Sequence, residues 1–189
     1  SALVVVDMPF GSYEAAPEDA VRNAVKIMKQ TGAAAVKLEG GKRSAAQIRA
    51  IVEAGIPVMG HIGFTPQSVH ALGGFKVQGR GDGANEVFEE ALAVQEAGAF
   101  AVVLELVPAE LAARITKQLS IPTIGIGAGS DTDGQILVWT DFANLGSGKK
   151  RKFVRQYLQM RELLLGATKQ YVADVKSKSF PNEEESFSD

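Results

Sequence analysis

The chain has 189 residues, 46% hydrophobic and 22% charged, which is enough to build a sizeable core. Its 20 Lys and Arg against 22 Asp and Glu leave a formal net charge of −2, a balance that argues against nucleic acid or an anionic membrane as the main partner. There is no cysteine, so disulfides, thiolate zinc sites and a thiol nucleophile are excluded, and a reducing cytoplasm is the expected location. No apolar run reaches the roughly 18 residues of a membrane span, and no secretory leader is visible.

In chain order, Ala2–Val6 reads as a fully buried strand that runs into Asp7 and is stopped by Pro9. Pro17 opens an amphipathic helix to about Gln30, with Val21, Ala24, Val25 and Met28 on one face and Thr31-Gly32 ending it. Ala34–Glu39 is a second strand. Ser44 is the expected N-cap of a helix that runs to about Ala54 and closes at Gly55. "IPVMG" is a short strand followed by His61. Residues 62–82 are Gly-rich and without period, and a loop of that length inside a compact domain is usually functional or mobile. A helix over Ala84–Ala97, a strand over Phe100–Glu105, a helix over Pro108–Gln118 and the strand "IPTIG" follow. "GIGAGSDTDG" is a Gly-rich turn, "QILVW" the last strand, and a long helix is expected from about Lys152 to Lys176. The basic run Lys149–Lys152 reads as a solvated loop before that helix, and "SFPNEEESFSD" as a polar tail.

Strict alternation of short apolar strands with helices gives the class α/β. An internal repeat favours a barrel over a doubly wound sheet. "GAAAVKLE" (Gly32–Glu39) and "GAFAVVLE" (Gly98–Glu105) agree at six of eight positions, and "GIPVMG" is echoed by "SIPTIG" further on. Gly-Ala-rich βα units converge easily on such strings. Convergence explains the two terminal glutamates poorly, because a buried strand has no structural need of a carboxylate.

At the C-terminal strand ends stand Asp7, Lys37 with Glu39, His61 and Glu105. That rim is where parallel barrels carry their chemistry. Each residue also has a simpler reading. Asp7 could cap the turn before Pro9, Lys37 and Glu39 could pair along one strand, Glu105 could face the helix from Pro108, and His61 could be a bonded loop histidine. Three carboxylates converging on one lysine carry excess negative charge, which a hard divalent cation with oxygen ligands, Mg²⁺, would offset. The set suits removal of a proton next to the carbonyl of a metal-bound 2-oxo acid, leaving a stabilised enolate.

The strings "VVDMPF", "VKLEGG", "GHIGFTPQSV", "GGFKVQGRG", "LELVP", "IPTIGIGAGSDTDGQILVW" and "FPNEEESF" resemble the ketopantoate hydroxymethyltransferase (3-methyl-2-oxobutanoate hydroxymethyltransferase) family. They run in unbroken order along nearly the whole chain. The resemblance implies a (βα)8 TIM-type barrel, of which residues 1–178 hold about six of eight βα units, with a tail over 179–189. It implies two further units before Ala2, carrying a second metal-ligand Asp followed by Ser.

The implied reaction transfers a hydroxymethyl group from 5,10-methylenetetrahydrofolate to α-ketoisovalerate with Mg²⁺, giving ketopantoate for pantothenate and coenzyme A. By the same resemblance, Asp7 is a metal ligand that also contacts substrate. Lys37 and His61 are substrate-site residues, Glu39 belongs to the metal's ligand set directly or through water, and Glu105 is the proton acceptor. The implied assembly is a homodecamer of two pentamer rings. Two alternatives stay open: a Mg²⁺-dependent 2-oxo acid lyase or mutase of the isocitrate lyase and phosphoenolpyruvate mutase type, and a subunit that only assembles.

Overall fold

A computed structural model describes residues 2–146, 148 and 151–188. The chain divides into two compact units, residues 1–136 and 137–189.

The first unit is a parallel sheet of six strands in chain order: β1 (Val5–Asp7), β2 (Ala35–Glu39), β3 (Val58–Gly63), β4 (Ala101–Glu105), β5 (Thr123–Ile126) and β6 (Gly134–Gln135). Four helices connect them: α1 (Pro17–Thr31), α2 (Ala45–Glu53), α3 (Gly83–Glu96) and α4 (Ala109–Gln118). The result is a curled, all-parallel half-barrel sheet, as the βα alternation requires. Among the described residues no helix is long and apolar enough to cross a membrane.

Local chemistry sets the helix limits. Pro17 supplies a preset φ at the start of α1, Glu18 and Asp19 sit in its first turn, and Lys29 in its last. Gly32 closes it in the left-handed region at φ 67°, returning its N–H to Met28 O.

Strand register then assigns faces. Val36, Leu38, Val58, Ile62, Val102 and Leu104 point toward the helices and form the core with Ala24, Ile48, Ile51, Val94 and Ile115. Burying each such side chain contributes about 1.5–3 kcal/mol. Gly60 lies on this face because α3 packs directly on it; a Cβ there would come 2.4 Å from Val94 Cγ1.

Four expectations need correction. The first strand is shorter than Ala2–Val6 and is not buried: Leu3 is 62% and Val4 57% exposed, because β1 is an edge with β2 as its one partner. "QILVW" is not a strand through Trp139. Pairing stops after Gln135, with Ile136 N–H on Gly125 O as the final bond, and Trp139 opens the short helix α5 (Trp139–Phe142). Ser44 stands at the N-cap position, but its hydroxyl donates back to Glu39 O at 2.8 Å instead of capping α2. The long helix begins at Met160, as α6 (Met160–Ser177), and not at Lys152. The segment before it bonds elsewhere: Val154 N–H goes to Arg151 O, and Tyr157 and Leu158 N–H both go to Phe142 O at the end of α5. Of the basic run, Arg151 and Lys152 are exposed; Lys149 and Lys150 lie outside the described residues.

Candidate active site

The same register that sends even-numbered strand residues to the helices turns their neighbours to the opposite face. Asp7 pairs with Lys37, Glu39 with His61, and Gly63 with Glu105. Side chains alternate along a strand, so Asp7, Lys37, Glu39, His61 and Glu105 all project from one face near the C-terminal ends of four adjacent strands. All five residues singled out in the sequence are therefore brought together.

Within the set His61 is the hub. It is 4% exposed, and Glu39 and Glu105 are 2% and 6% exposed. Lys37 Nζ lies 2.8 Å from Asp7 Oδ1 and 3.3 Å from His61 Nδ1. Across the ring, His61 Nε2 lies 3.2 Å from Glu105 Oε2. An ammonium has only protons to give, so Nδ1 accepts from Lys37 and the neutral ring carries its proton on Nε2, toward Glu105. That N–H is short of the carboxylate's line, so Nε2 is a buried donor without an aligned acceptor. Lys37 pairs with Asp7 and not along its own strand with Glu39.

Glu39 occupies the other side of the ring, with Oε1 3.8 Å from His61 Nδ1 and Oε2 accepting the Gln67 N–H at 2.9 Å. Burial is the largest influence on its carboxyl and pushes its pKa up; His61, the Gln67 N–H and Lys37 pull the other way, and Asp7 adds to the rise.

Sequence reasoning missed two residues of this neighbourhood. Tyr13, 2% exposed, reaches it from the loop after β1, and Gln67 from a single turn after β3. The quoted string "GHIGFTPQSV" contained Gln67, but nothing in a Pro-Gln-Ser turn signals a buried partner. The loop over 62–82 is pinned to the same strand ends by Phe64 N–H to Glu105 O at 2.8 Å and Gln78 N–H to Leu106 O at 2.9 Å. Beneath it, Gly40, Arg43, Gly63, Thr65, Gln78 and Glu90 help to line a cavity of about 330 Å³.

Comparison with known proteins supplies the reaction. The model of the family described as ketopantoate hydroxymethyltransferase matches residues 1–183. The chain belongs to that family. The 3-methyl-2-oxobutanoate hydroxymethyltransferase of Leifsonia xyli is 60% identical over 186 residues, covering 98% of this chain and 67% of the relative. The enzyme of the same name from Corynebacterium glutamicum is 58% identical, with 98% and 69% covered. The chain thus spans about two thirds of the length of these curated relatives. A transferase of this family moves a hydroxymethyl group onto 3-methyl-2-oxobutanoate, and that reaction is the one to set against the Asp7–Glu105 cluster. A solved structure of an uncharacterized conserved protein from Geobacillus kaustophilus shares the fold, with TM-score 0.50 at 15% identity over 76% of this chain and 69% of that one.

Proposed function

We propose that this site removes the C3 proton of 3-methyl-2-oxobutanoate and adds the resulting enolate carbon to the one-carbon unit of 5,10-methylenetetrahydrofolate, giving ketopantoate for pantothenate and coenzyme A synthesis. The observation that carries the reading is the line Asp7–Lys37–His61–Glu105 on one sheet face. It sets the Lys37 ammonium beside Asp7 at one end and the Glu105 carboxylate at the other.

The residues present fit a divalent cation in kind. Asp7 and Glu39 offer hard carboxylate oxygens, and Mg²⁺ is commonly held by one or two carboxylates with water and substrate completing its shell. Among the described residues no group of three His, Cys, Asp or Glu side chains is gathered for a metal, so this part of the protein would supply two ligands and not a closed cage. When bound, Mg²⁺ acidifies the protons beside the keto group by drawing charge from its oxygen.

The chain's own residues do the rest. Lys37 is fixed between Asp7 and His61, so its ammonium is already oriented when negative charge grows on the substrate's oxygen. Glu105, buried at the end of β4 on the same face, is the carboxylate placed to take the C3 proton. His61 Nε2 lies 3.2 Å from Glu105 Oε2, and its unpaired N–H is free to swing onto that carboxylate or onto substrate as the reaction proceeds. Water hydrolyses both C–N bonds of the methylene bridge, leaving a hydrogen on N5 and on N10 of tetrahydrofolate and releasing the one-carbon unit at the formaldehyde level; the enolate carbon adds to that carbonyl carbon, and the resulting alkoxide takes up the proton that Glu105 removed from C3. Closure of the sheet into a (βα)8 barrel, residues 1–178 as one barrel domain, assembly as a homodecamer and a cytoplasmic location belong to the same proposal. The exposed Leu3 and Val4, just before edge strand β1, support closure.

The test is hydrogen–deuterium exchange at C3, followed by proton NMR in heavy water without folate. Glu105→Gln should slow exchange by about 10²–10⁴-fold, the range for losing a general base. Exchange at the wild-type rate would remove Glu105 from that role.

A further inference from the structure

Behind Glu39 lies a closed polar network that takes no part in the proton transfer. The Tyr13 phenol donates to Gln67 Oε1 at 2.5 Å and accepts the Glu39 main-chain N–H at 3.2 Å. Gln67 Nε2 donates to Met8 O at 2.9 Å, one residue beyond Asp7. Gln67 N–H donates to Glu39 Oε2 at 2.9 Å. One glutamine therefore ties the end of β1, the end of β2 and the first turn of the loop after β3. Burial pushes the Tyr13 pKa up, so the phenol stays protonated and remains a donor.

Packing alone would not call for this arrangement. A buried polar network is costly unless complete, and a phenylalanine would fill the Tyr13 site without needing partners. The bonds instead have a directional effect: with Oε2 held by Gln67, Glu39 has Oε1 left to present on the His61 side.

The geometry points to Tyr13 and Gln67 as positioning residues for the reaction, fixing the Glu39 carboxylate and seating the loop after β3 so that Asp7 and Glu39 face the divalent cation and the oxo acid together. This rests on the metal-assisted reading above. Neither residue touches a reacting atom; each acts through Glu39. Second-layer groups of this kind typically change metal affinity by about 10–100-fold.

The test uses Tyr13→Phe and Gln67→Met, which keep volume, and the double variant. Amide hydrogen exchange across residues 64–72 in metal-free protein reads the clamp itself, and calorimetric Mg²⁺ titration with 3-methyl-2-oxobutanoate present reads its consequence. Both single variants should lose protection about tenfold and raise the Mg²⁺ Kd at least tenfold. C3 exchange at saturating Mg²⁺ and oxo acid should stay within about threefold of wild type. The double variant should be no worse than the poorer single, because both break one unit. Unchanged protection, an unchanged Kd, or additive losses would each overturn the assignment. Undiminished C3 exchange in Glu105→Gln would instead sink the base assignment, and the protection and titration results would still decide on Tyr13 and Gln67.

Discussion

Gly63 and Gly55 form a controlled pair for testing how closely Glu105, the proposed base, is built into the sheet. Both adopt left-handed backbone, at φ 82° and 86°. A Cβ on Gly55 meets nothing within 4 Å, whereas on Gly63 it would lie 2.4 Å from Glu105 O and 2.7 Å from Val107 Cγ2. Alanine at either site costs about 1–2 kcal/mol for the backbone conformation. At Gly63 the carbonyl of Glu105 must also retreat by about 1 Å to reach ordinary contact distance. That carbonyl accepts the Phe64 N–H at 2.8 Å, and Phe64 is buried. Breaking the bond adds about 1–3 kcal/mol for the unsatisfied groups. Gly63→Ala should therefore lose about 2–5 kcal/mol in urea unfolding, and Gly55→Ala about 1–2 kcal/mol, with m-values unchanged. A displacement of this size at the base should also slow C3 exchange on the order of 10²-fold in the folded Gly63→Ala protein, and leave Gly55→Ala near wild type. Equal stability losses together with equal exchange rates would refute the idea that Glu105 is held by its contact with Gly63.

Lys37→Met should raise the KM for 3-methyl-2-oxobutanoate by at least about tenfold in steady-state exchange, because it removes the cation fixed beside Asp7 and His61. An unchanged KM would return Lys37 to being a structural partner of Asp7. Chelating divalent ions should stop C3 exchange and added Mg²⁺ should restore it; exchange that persists in chelator would remove the metal from the proton-transfer step. Glu90 gives a pH prediction: burial first, then Glu86, raises its carboxyl, with Arg43 and Lys42 opposing. A group whose pKa is higher folded than unfolded favours the fold in its protonated form, and that advantage is lost as pH rises through the folded value. Glu90→Gln should therefore be more stable than wild type at pH 7 and show no such gain at pH 3, compared by urea midpoints. A gain that grew toward acid pH would reverse the sign and refute it.

The gathering of the candidate site's residues was legible in the sequence because they sit at strand ends, and strand ends are marked. The repeated Leu-Glu closing two βα units picked out Glu39 and Glu105, and the ladder places both on the face that carries Asp7, Lys37 and His61. The links among them were not legible, because they depend on register. Lys37 is two residues from Glu39 along β2 yet bonds to Asp7 and His61 on neighbouring strands. Tyr13 and Gln67 were invisible for a related reason. Their partners are 54 and 28 residues away, Gln67 for Tyr13 and Glu39 for Gln67, and no local pattern announces a tertiary hydrogen bond.

The two misread strands have a common physical cause. An apolar run reports that a segment can pair and be buried, but burial also requires a neighbour on each side. Sheet order here equals chain order, so β1 and β6 are the two edges. Leu3, Val4 and Ile136 follow the pattern of interior strands and nevertheless stand exposed at those edges. The interior strands were predicted to within a few residues because each has two partners and a helix to pack on. The excess of apolar residues at the edges is thus surface in need of cover, and Asp7, 53% exposed by its side chain at the end of β1, stands beside it. Covering that edge would withdraw water from the Asp7–Lys37 pair, strengthening the hold on Lys37 and hence the line of contacts through His61 to Glu105.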